Sequence, residues 1–293
     1  MSRLVFLGAP EVAARTLRAL VDGGHDVVLV VTGPDRRRAR RGESTPTPVK
    51  RVAAGLGIAV TERVEDVVDV GATLGVVVAF GRIIGADVLA RVPMLNLHFS
   101  LLPRWRGAAP VERAILAGDR TTGVCVMAVG EGLDTGPVYG CREVTIGEEE
   151  TADELRRRLG DLGSSLVLEL LARPTGLPEP TPQSGEPTYA AKLRPADLQL
   201  DFHRSAVECG RVVRAGRAWT TFHGRRLLVR RARPMAGVPA HFAGPPGLLE
   251  GSVVHTGSGV LELLEVQGEG RRPMPFAVWR AGTRPEPGEV LGD

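Results

Sequence analysis

The sequence predicts an α/β protein with a parallel-rich sheet, followed by a small C-terminal β domain. Over roughly the first 170 residues, continuous apolar runs alternate with segments whose apolar residues recur at helical spacing. Continuous apolar runs are typical of parallel strands, which are buried on both faces. Beyond about residue 204, glycines separate several short strand-like segments, a pattern that predicts a small β-barrel.

The N-terminal elements follow a strand–helix–strand order. Residues 4–7 form an apolar run, residues 12–21 show helical spacing that ends at an Asp-Gly-Gly turn, and residues 27–31 form a second apolar run. The turn after the first run reads Gly8-Ala9-Pro10. This turn lacks the G-x-G-x-x-G fingerprint, so the sequence does not support a dinucleotide site.

The middle of the chain continues the α/β pattern. The predicted strands cover residues 58–60, 74–80, 93–98, 122–129 and 138–146, and the predicted helices cover residues 48–56, 83–89, 110–116 and 151–171. Thr151 precedes Glu154 by three residues, which is the spacing of a capping box at the start of the longest helix.

The C-terminal part is set apart by composition. Residues 173–188 are rich in Pro, Gly, Thr and Ser, as inter-domain linkers are. The later predicted elements are a helix over residues 205–215 and strands over residues 220–222, 227–229, 251–255 and 260–266. The predicted organisation is a catalytic domain over residues 1–187, a linker over residues 188–204 and a second domain over residues 205–293.

Length and composition are those of a globular protein with a sizeable core. The chain has 293 residues, of which 43% are hydrophobic and 24% charged. No segment is long and apolar enough for a signal peptide or a membrane span, which favours a cytoplasmic location. Cys125, Cys141 and Cys209 are few, odd in number and without metal-ligand spacing, so we expect free thiols and no bound metal.

Positive charge is concentrated in two places. Residues 36–41 contain five arginines, which cannot all be buried and repel one another. Residues 203–293 contain 13 basic and 8 acidic side chains, whereas the rest of the chain contains 24 and 26. Both features fit a polyanionic partner, with the arginine loop gripping phosphates, but a solvated loop in an arginine-rich protein is the alternative interpretation.

Three polar side chains suggest acyl-transfer chemistry. Asn96 and His98 are two residues apart at the end of an apolar run, so in a strand they lie on one face. Asp134 lies between glycines in Gly-Leu-Asp-Thr-Gly, where the chain must turn. A carboxylate can orient an imidazole that moves protons, while an amide can donate to an oxyanion. Each residue alone also has a purely structural interpretation, and no nucleophile-elbow pattern indicates a covalent acyl-enzyme.

The same residues carry a family resemblance. Two segments of the chain resemble the formyltransferases that use 10-formyltetrahydrofolate. They are Asn96-x-His98-x-Ser100-Leu101-Leu102-Pro103 and Gly132-Leu133-Asp134-Thr135-Gly136. Within that family, Arg-Trp-Arg-Gly-Ala-Ala-Pro at residues 104–110 resembles the branch that formylates methionyl-tRNA for translation initiation. Four further segments match the same branch in order and spacing. They are the turn at residues 8–11, the loop motifs at residues 34–36 and 46–50, and Tyr-Ala-Ala-Lys-Leu at residues 189–193.

The resemblance implies a fold, substrates and roles. It implies a Rossmann-like formyltransferase domain, an OB-like C-terminal barrel that helps to hold tRNA, and no metal. Its catalytic residues correspond to Asn96, His98 and Asp134, and its tetrahydrofolate pocket corresponds to Ser100, Leu101, Leu102 and Pro103. Its tRNA-contacting loop corresponds to the segment with Arg37, Arg38, Arg40 and Arg41. The expected partners are 10-formyltetrahydrofolate and methionyl initiator tRNA, and the expected state is a monomer.

This chain departs from the family pattern at a few positions. Phe99 stands where a small residue is usual, Phe80 stands where Tyr is common, and Arg-Ala-Trp-Thr at residues 217–220 replaces a Pro-Trp-Pro pattern. Glycine and glutamate at residues 42 and 43 replace the lysines of the tRNA loop, so its charge is shifted toward the loop start.

Two other hypotheses fit part of the sequence. A formyltransferase for a small amine, such as an amino sugar nucleotide or glycinamide ribonucleotide, would use the same three side chains but would not need a basic barrel. A catalytically idle RNA-binding module would keep the basic regions but would have no use for Asn96, His98 and Asp134 together.

Overall fold

The computed structural model describes residues 2–37, 44–235 and 244–293, with only the backbone described at residues 36 and 37. The chain divides into two units. Unit 1 comprises Met1–Pro110, Thr121–Thr145 and Arg156–Ala191, and unit 2 comprises Val111–Arg120, Ile146–Leu155 and Lys192–Asp293.

The elements alternate between strands and helices through residue 171 and are mostly strands after residue 216. The strands are β1 (Arg3–Gly8), β2 (Asp26–Val31), β3 (Arg36–Arg37), β4 (Ser44–Thr45), β5 (Ala59–Thr61), β6 (Leu74–Val78), β7 (Met94–His98), β8 (Arg106–Gly107), β9 (Thr121–Ala128), β10 (Val138–Thr145), β11 (Tyr189–Ala190), β12 (Trp219–Phe222), β13 (Arg225–Met235), β14 (Leu249–Glu250), β15 (Val253–His255), β16 (Val260–Gly268) and β17 (Met274–Pro275). The helices are α1 (Glu11–Asp22), α2 (Pro48–Gly55), α3 (Ala86–Arg91), α4 (Pro110–Ala117), α5 (Ala152–Leu171), α6 (Ala206–Ala215) and α7 (Phe276–Thr283), with 3-10 turns at Glu65–Asp69 and Pro195–Leu198.

The main sheet of unit 1 has seven strands in the order β10-β9-β7-β6-β1-β2-β5. The five strands from β7 to the edge strand β5 are parallel, while β9 is antiparallel to β7 and β10 is antiparallel to β9. The side chains of β1 and β6 that form its middle are almost completely buried. The carboxyl ends of the parallel strands share one edge, which is where open α/β sheets hold their ligands.

Helix α5 covers one face of β7. A Cβ atom at Gly163 would lie 2.6 Å from Leu97 Cδ1, so the helix approaches the strand at a distance that only glycine permits. Ser164 donates a buried hydrogen bond of 2.9 Å to Thr16 Oγ1 of α1. Because successive side chains of a strand point to opposite faces, Leu97 faces α5, and Asn96 and His98 face the other way.

Unit 2 is built on an antiparallel sheet. Its strand order is β12-β13-β16-β15-β14, with β17 paired to β16. Helix α6 starts in a capping box, in which Ser205 Oγ accepts from the Glu208 backbone N–H at 3.2 Å and Glu208 accepts from the Ser205 backbone N–H at 3.0 Å. The core of this unit includes Phe202, Phe222 and Phe276.

The altered segment at residues 217–220 contributes Ala218 to that core. Ala218 and Thr220 are buried, whereas Arg217 adopts a left-handed conformation with φ of 60°. Trp219 donates its indole N–H to the Pro195 carbonyl oxygen at 2.8 Å, and the guanidinium of Arg226 lies 4.5 Å from its ring centre.

The predicted fold class is confirmed: a parallel-rich α/β sheet is followed by a small antiparallel β domain. The capping box at the start of α5 is also confirmed, since Glu154 Oε2 accepts from the Thr151 backbone N–H at 2.9 Å. Within the described ranges, no helix combines the length and apolar composition that crossing a bilayer requires.

The expectation of three free thiols is wrong for two of them. Cys125 and Cys141 form a disulfide, and Cys209 is a buried free thiol. Cys125 lies in β9 and Cys141 lies directly opposite in β10, with their Cα atoms 4.1 Å apart. The 16-residue separation in sequence gave no sign of this pairing, because it depends on the register of the two strands.

Candidate active site

The structure brings Asn96, His98 and Asp134 together in unit 1. Asn96 and His98 lie at the end of β7, and Asp134 lies in the loop between β9 and β10. Asn96 Nδ2 donates to Asp134 Oδ1 at 3.4 Å, and His98 Nδ1 lies 3.5 Å from Asp134 Oδ2. The carboxylate therefore lies against both the amide and the imidazole, where it can orient a general acid–base group.

The backbone of strand β8 fixes the same carboxylate. The Gly107 N–H donates to Asp134 Oδ2 at 2.8 Å, which is shorter than either side-chain contact. Asp134 itself has a left-handed conformation, with φ of 51°. Non-glycine residues rarely adopt this conformation, and such residues are found preferentially at functional sites.

The imidazole of His98 faces an oxygen atom at each ring nitrogen. Nε2 is 2.9 Å from the Trp105 carbonyl oxygen, which can only accept, so Nε2 carries a hydrogen and donates it. Nδ1 faces the carboxylate of Asp134. The side chain is nearly buried, with 6% of its surface exposed, and a proton taken up at Nδ1 lies next to a negative charge that stabilises it.

Asn96 keeps hydrogen-bonding capacity that the described residues do not use. Its amide nitrogen has two hydrogens, and the contact with Asp134 accounts for one. Among the described residues, no further hydrogen bond of this side chain is found. A half-buried amide N–H beside a carboxylate and an imidazole can therefore donate to an oxygen atom of a bound substrate.

The segment resembling a folate-binding stretch follows β7. Ser100 is completely buried, and its hydroxyl donates to the Arg104 carbonyl oxygen at 2.5 Å, so it holds the loop. Leu101, Leu102 and Pro103 are half-buried, and the peptide between the last two is cis. Leu101 packs onto Gly123 of β9, where a Cβ would lie 2.4 Å from Leu101 Cδ2.

The two phenylalanines that depart from the family pattern are both buried. Phe99 has 7% of its surface exposed and Phe80 has 9%, so neither ring projects into solvent. Phe80 belongs to the core cluster that contains Val77 and Ile84, and the guanidinium of Arg82 lies 5.4 Å from its ring centre.

A segment near the end of unit 1 contributes contacts that sequence reasoning missed. Strand β11 pairs in parallel with β8, and the Trp105 N–H donates to Thr188 Oγ1 at 2.8 Å. Gln183 Nε2 donates to the carbonyl oxygens of Asp134 and Gly136, each at 2.8 Å. The Pro-, Gly-, Thr- and Ser-rich composition of residues 173–188 predicted a linker and gave no sign of these contacts. The family resemblance at residues 189–193 was the one signal that lay nearby.

The arginine loop is described only at its base. Arg37 lies in β3, which pairs with β4, whereas Arg38, Arg40 and Arg41 lie outside the described residues. Behind this hairpin, Lys50 forms an ion pair of 2.9 Å with Asp35. The contact of Thr32 Oγ1 with Thr47 Oγ1 at 2.9 Å is buried. These contacts anchor the two ends of the loop.

For metal binding, the described part of the chain contains no group of three or more His, Cys, Asp and Glu side chains placed to hold an ion.

Comparison with known proteins matches both parts of the chain. Residues 2–171 match the family described as formyl transferase, and residues 192–284 match the formyl transferase C-terminal domain. The chain is 43% identical over 311 residues to methionyl-tRNA formyltransferase of Thermus thermophilus, with 99% of each chain covered. It is 41% identical over 290 residues to methionyl-tRNA formyltransferase of Paracoccus denitrificans, with 94% of this chain and 95% of the relative covered.

A solved structure with a similar fold is methionyl-tRNA formyltransferase from Clostridium thermocellum. The TM-score is 0.61 at 17% sequence identity, and the alignment covers 81% of this chain and 96% of that one. At this identity the likeness concerns the fold alone.

Proposed function

The chain belongs to the formyl transferase family, and from that premise we propose that it transfers a formyl group from 10-formyltetrahydrofolate to the amino group of methionyl initiator tRNA. The observation that carries the proposal is the shared contact of Asp134 with Asn96 and His98. It occurs in a chain that is 43% identical over nearly its full length to a methionyl-tRNA formyltransferase. The reaction supplies the formylated initiator tRNA of translation initiation.

The three side chains account for the proton and charge changes of amine-to-amine formyl transfer. As the amine adds to the formyl carbon, negative charge grows on the formyl oxygen, and the free N–H of Asn96 can donate to it. His98 takes the proton that the amine loses, and Asp134 stabilises the resulting imidazolium. His98 then returns the proton to the departing folate nitrogen as its bond to the formyl carbon breaks.

Proton exchange with a substrate requires a change at His98. In the described state Nε2 donates to the Trp105 carbonyl and Nδ1 faces Asp134. A substrate nitrogen reaches a ring nitrogen only if one of these contacts opens, or through a bridging water. The contact with Trp105 is the one expected to open, because opening the Asp134 contact would separate the imidazolium from its counter-charge. Nε2 can then accept the proton of the amine once the ring hydrogen has moved to Nδ1, where it is donated to Asp134.

The residues present fit a folate co-substrate. Leu101, Leu102 and Pro103 offer a half-buried apolar surface three to five residues after His98, suited to an aromatic ring system. Asn96 offers an unused donor for the formyl oxygen. Ser100 contributes through the backbone fold of this loop, since its hydroxyl is already bonded to Arg104.

The basic surface of unit 2 supports tRNA as the acceptor. Strand β13 carries five arginines, namely Arg225, Arg226, Arg230, Arg231 and Arg233. All are exposed, and among the described residues only Arg233 has an acidic partner, Glu262 at 2.7 Å. Uncompensated arginines on one strand attract a phosphate backbone and have no evident use with a small amine acceptor.

An acceptor competition assay tests the proposal. We expect the purified protein, given 10-formyltetrahydrofolate, to formylate methionyl initiator tRNA and to leave an amino sugar nucleotide and glycinamide ribonucleotide unmodified. Product mass spectrometry identifies the formylated amine. Formylation of a small amine without formylation of the charged tRNA would reject the proposal in favour of the small-amine hypothesis.

The roles of Arg37, Arg38, Arg40 and Arg41 in tRNA binding, the cytoplasmic location and the monomeric state stay predictions. Light scattering on the purified protein measures the oligomeric state.

Replacing Arg40 and Arg41 by alanine should weaken tRNA binding and flatten its salt dependence, because a protein that neutralises fewer phosphates releases fewer counterions.

A further inference from the structure

We propose that Gln183 is a positioning residue for the formyl transfer reaction, acting through Asp134 as part of a strap formed by residues 181–190. The side chain of Gln183 bonds to the backbone that carries Asp134 and leaves the reacting groups of the three catalytic side chains free. The inference rests on the function proposed above for Asn96, His98 and Asp134.

The amide of Gln183 is fully used at the base of the catalytic loop. Its two N–H groups donate to the carbonyl oxygens of Asp134 and Gly136, both at 2.8 Å. The Asp134 carbonyl belongs to the peptide unit that follows its Cα atom, and the Gly136 carbonyl lies two residues further along the chain. A single side chain thus holds two carbonyls of the chain directly after Asp134, whose left-handed conformation is uncommon for a residue other than glycine.

Arg106 fixes the other end of the same amide. Its Nε and Nη2 atoms donate to Gln183 Oε1 at 3.1 and 2.7 Å, so the amide cannot rotate to exchange its nitrogen and oxygen. The next residue, Gly107, donates its backbone N–H to the Asp134 carboxylate. The backbone and the side chain of Asp134 are therefore tied to one dipeptide, Arg106–Gly107.

The strap itself is fastened on both sides of Gln183. Thr181 and Val138 exchange backbone hydrogen bonds of 2.9 and 2.8 Å, and Thr188 donates its N–H to the Pro103 carbonyl at 3.2 Å. Between these points, residues 184–187 are exposed, whereas Gln183 is half-buried. An exposed segment that turns a single amide inward and uses all of its hydrogen-bonding groups is built to hold that amide.

The geometry predicts what different substitutions do. Gln183→Glu keeps the acceptor for Arg106 but removes both donors, so the carbonyls of Asp134 and Gly136 would face a carboxylate oxygen. Gln183→Ala removes the donors and the acceptor. Glu186→Gln is the matched control, because Glu186 lies in the same strap and is exposed.

Kinetics separate positioning from folding. With the full-length protein, 10-formyltetrahydrofolate and methionyl initiator tRNA, we expect kcat to fall about tenfold or more in Gln183→Glu and Gln183→Ala. KM for the folate should stay within about twofold, and Glu186→Gln should match the wild type. Wild-type kcat in Gln183→Glu would overturn the proposal, because the donors would then be dispensable.

A double variant tests whether Gln183 acts through Asp134. If it does, Gln183→Ala should cause little further loss of kcat in an Asp134→Asn background, since coupled residues are non-additive. Losses that multiply in full would overturn the proposal and leave Gln183 with an unrelated structural role.

A readout without substrate keeps the proposal testable if the acceptor has been misidentified. Hydrogen–deuterium exchange of the peptide covering residues 130–137 should be faster in Gln183→Ala than in the wild type and in Glu186→Gln. Unchanged exchange in Gln183→Ala would overturn the proposal. Faster exchange in Gln183→Ala, in a protein whose wild type does not formylate methionyl-tRNA, would support the strap and reject only the proposed function.

Discussion

At the scale of single residues, Asp134 is the point where the three proposed catalytic side chains meet. One carboxylate accepts from the Gly107 backbone and from Asn96, and it lies against His98. Its exposed side-chain fraction of 13% limits screening by water, so its charge acts strongly on the neighbouring imidazole. The charge of Asp134, more than its shape, should therefore determine the rate.

Asp134→Asn tests that statement. The amide oxygen can still accept from Gly107, but the counter-charge for the His98 imidazolium is removed. We expect kcat to fall by about 100-fold or more with little change in melting temperature, as is common when a general acid–base group is impaired. Steady-state kinetics with both substrates measures the effect. Asp161→Asn, which removes an exposed ion pair with Arg15, is the control and should keep wild-type kcat.

The sequence predicted part of this site. Alternation in a strand was enough to put Asn96 and His98 on one face, and the turn between two glycines singled out Asp134, which the resemblance then grouped with them. The contributions of Trp105, Gly107 and Gln183 come from backbone groups or from a distant segment, and no local pattern reports which carbonyl or N–H a loop will present. Long-range loop contacts are therefore what the sequence could not supply.

At the scale of elements, the short pair β8–β11 supports the site. Gly107 has φ of 120°, which side-chain-bearing residues rarely adopt, and a Cβ there would lie 2.8 Å from the Ala190 carbonyl oxygen. Only glycine lets β8 approach β11 and still aim its N–H at Asp134. The pairing of β8 with β11 and the position of the Asp134 carboxylate therefore depend on the same glycine, Gly107.

Gly107→Ala should damage stability and activity together. Backbone strain of this kind typically costs about 1–3 kcal/mol, and a displaced N–H would release the Asp134 carboxylate. We expect a lower melting temperature and a kcat reduced by about tenfold or more. Gly55→Ala is the matched control, because that position is in α2 with open space around it and an ordinary φ. If Gly107→Ala had the same melting temperature and kcat as Gly55→Ala, the geometry of β8 would not control the position of the Asp134 carboxylate.

Asp197 gives unit 2 an acid-sensitive contact. The Arg194 backbone N–H donates to its carboxylate at 2.9 Å and Arg113 lies at 3.0 Å, and both lower the pKa of Asp197. The stabilisation is present at neutral pH and disappears as the pH falls through this lowered pKa. It is on the order of 1 kcal/mol for a partly exposed charged hydrogen bond.

Chemical denaturation over a pH series measures this contribution. The free energy of unfolding of the wild type should exceed that of Asp197→Asn at neutral pH, and the difference should shrink toward zero as the solution is acidified below about pH 4. A difference that stays constant down to acidic pH would show that the ionised carboxylate is not responsible.

Local signals identified elements well, and contacts between elements poorly. The Thr151–Glu154 capping box marked the start of α5 because both partners lie within one helical turn. The disulfide between Cys125 and Cys141 was missed because it depends on how β9 and β10 pair.

Burial raises the pKa of the remaining thiol, Cys209, to about 11, so it stays protonated and unreactive at neutral pH.

At the scale of the whole molecule, the two units carry different parts of the proposed function. Unit 1 contains Asn96, His98 and Asp134, and unit 2 contains the exposed arginines of β13. The net charge of +3 is small, so attraction of a polyanion depends on where the arginines lie and not on their total number.

A salt titration of tRNA binding tests this division. Replacing Arg230 and Arg231 by alanine should weaken binding and lower the slope of log K against log salt by about one for each phosphate that the variant no longer neutralises. Arg233→Ala is the control, because Arg233 is already paired with Glu262 and should contribute less. Fluorescence anisotropy with labelled tRNA provides the measurement. An unchanged slope in the double variant would remove β13 from the tRNA-binding surface.

The role of His98 is best measured by comparing the wild type with His98→Ala in formyl transfer from 10-formyltetrahydrofolate to methionyl initiator tRNA. We expect the wild type to formylate the methionyl amine and His98→Ala to lose about 100-fold to 10,000-fold in kcat, while a variant of the exposed His203, His203→Ala, keeps the wild-type rate. Equal rates in the wild type and His98→Ala, or a wild type that formylates no methionyl-tRNA, would contradict the account.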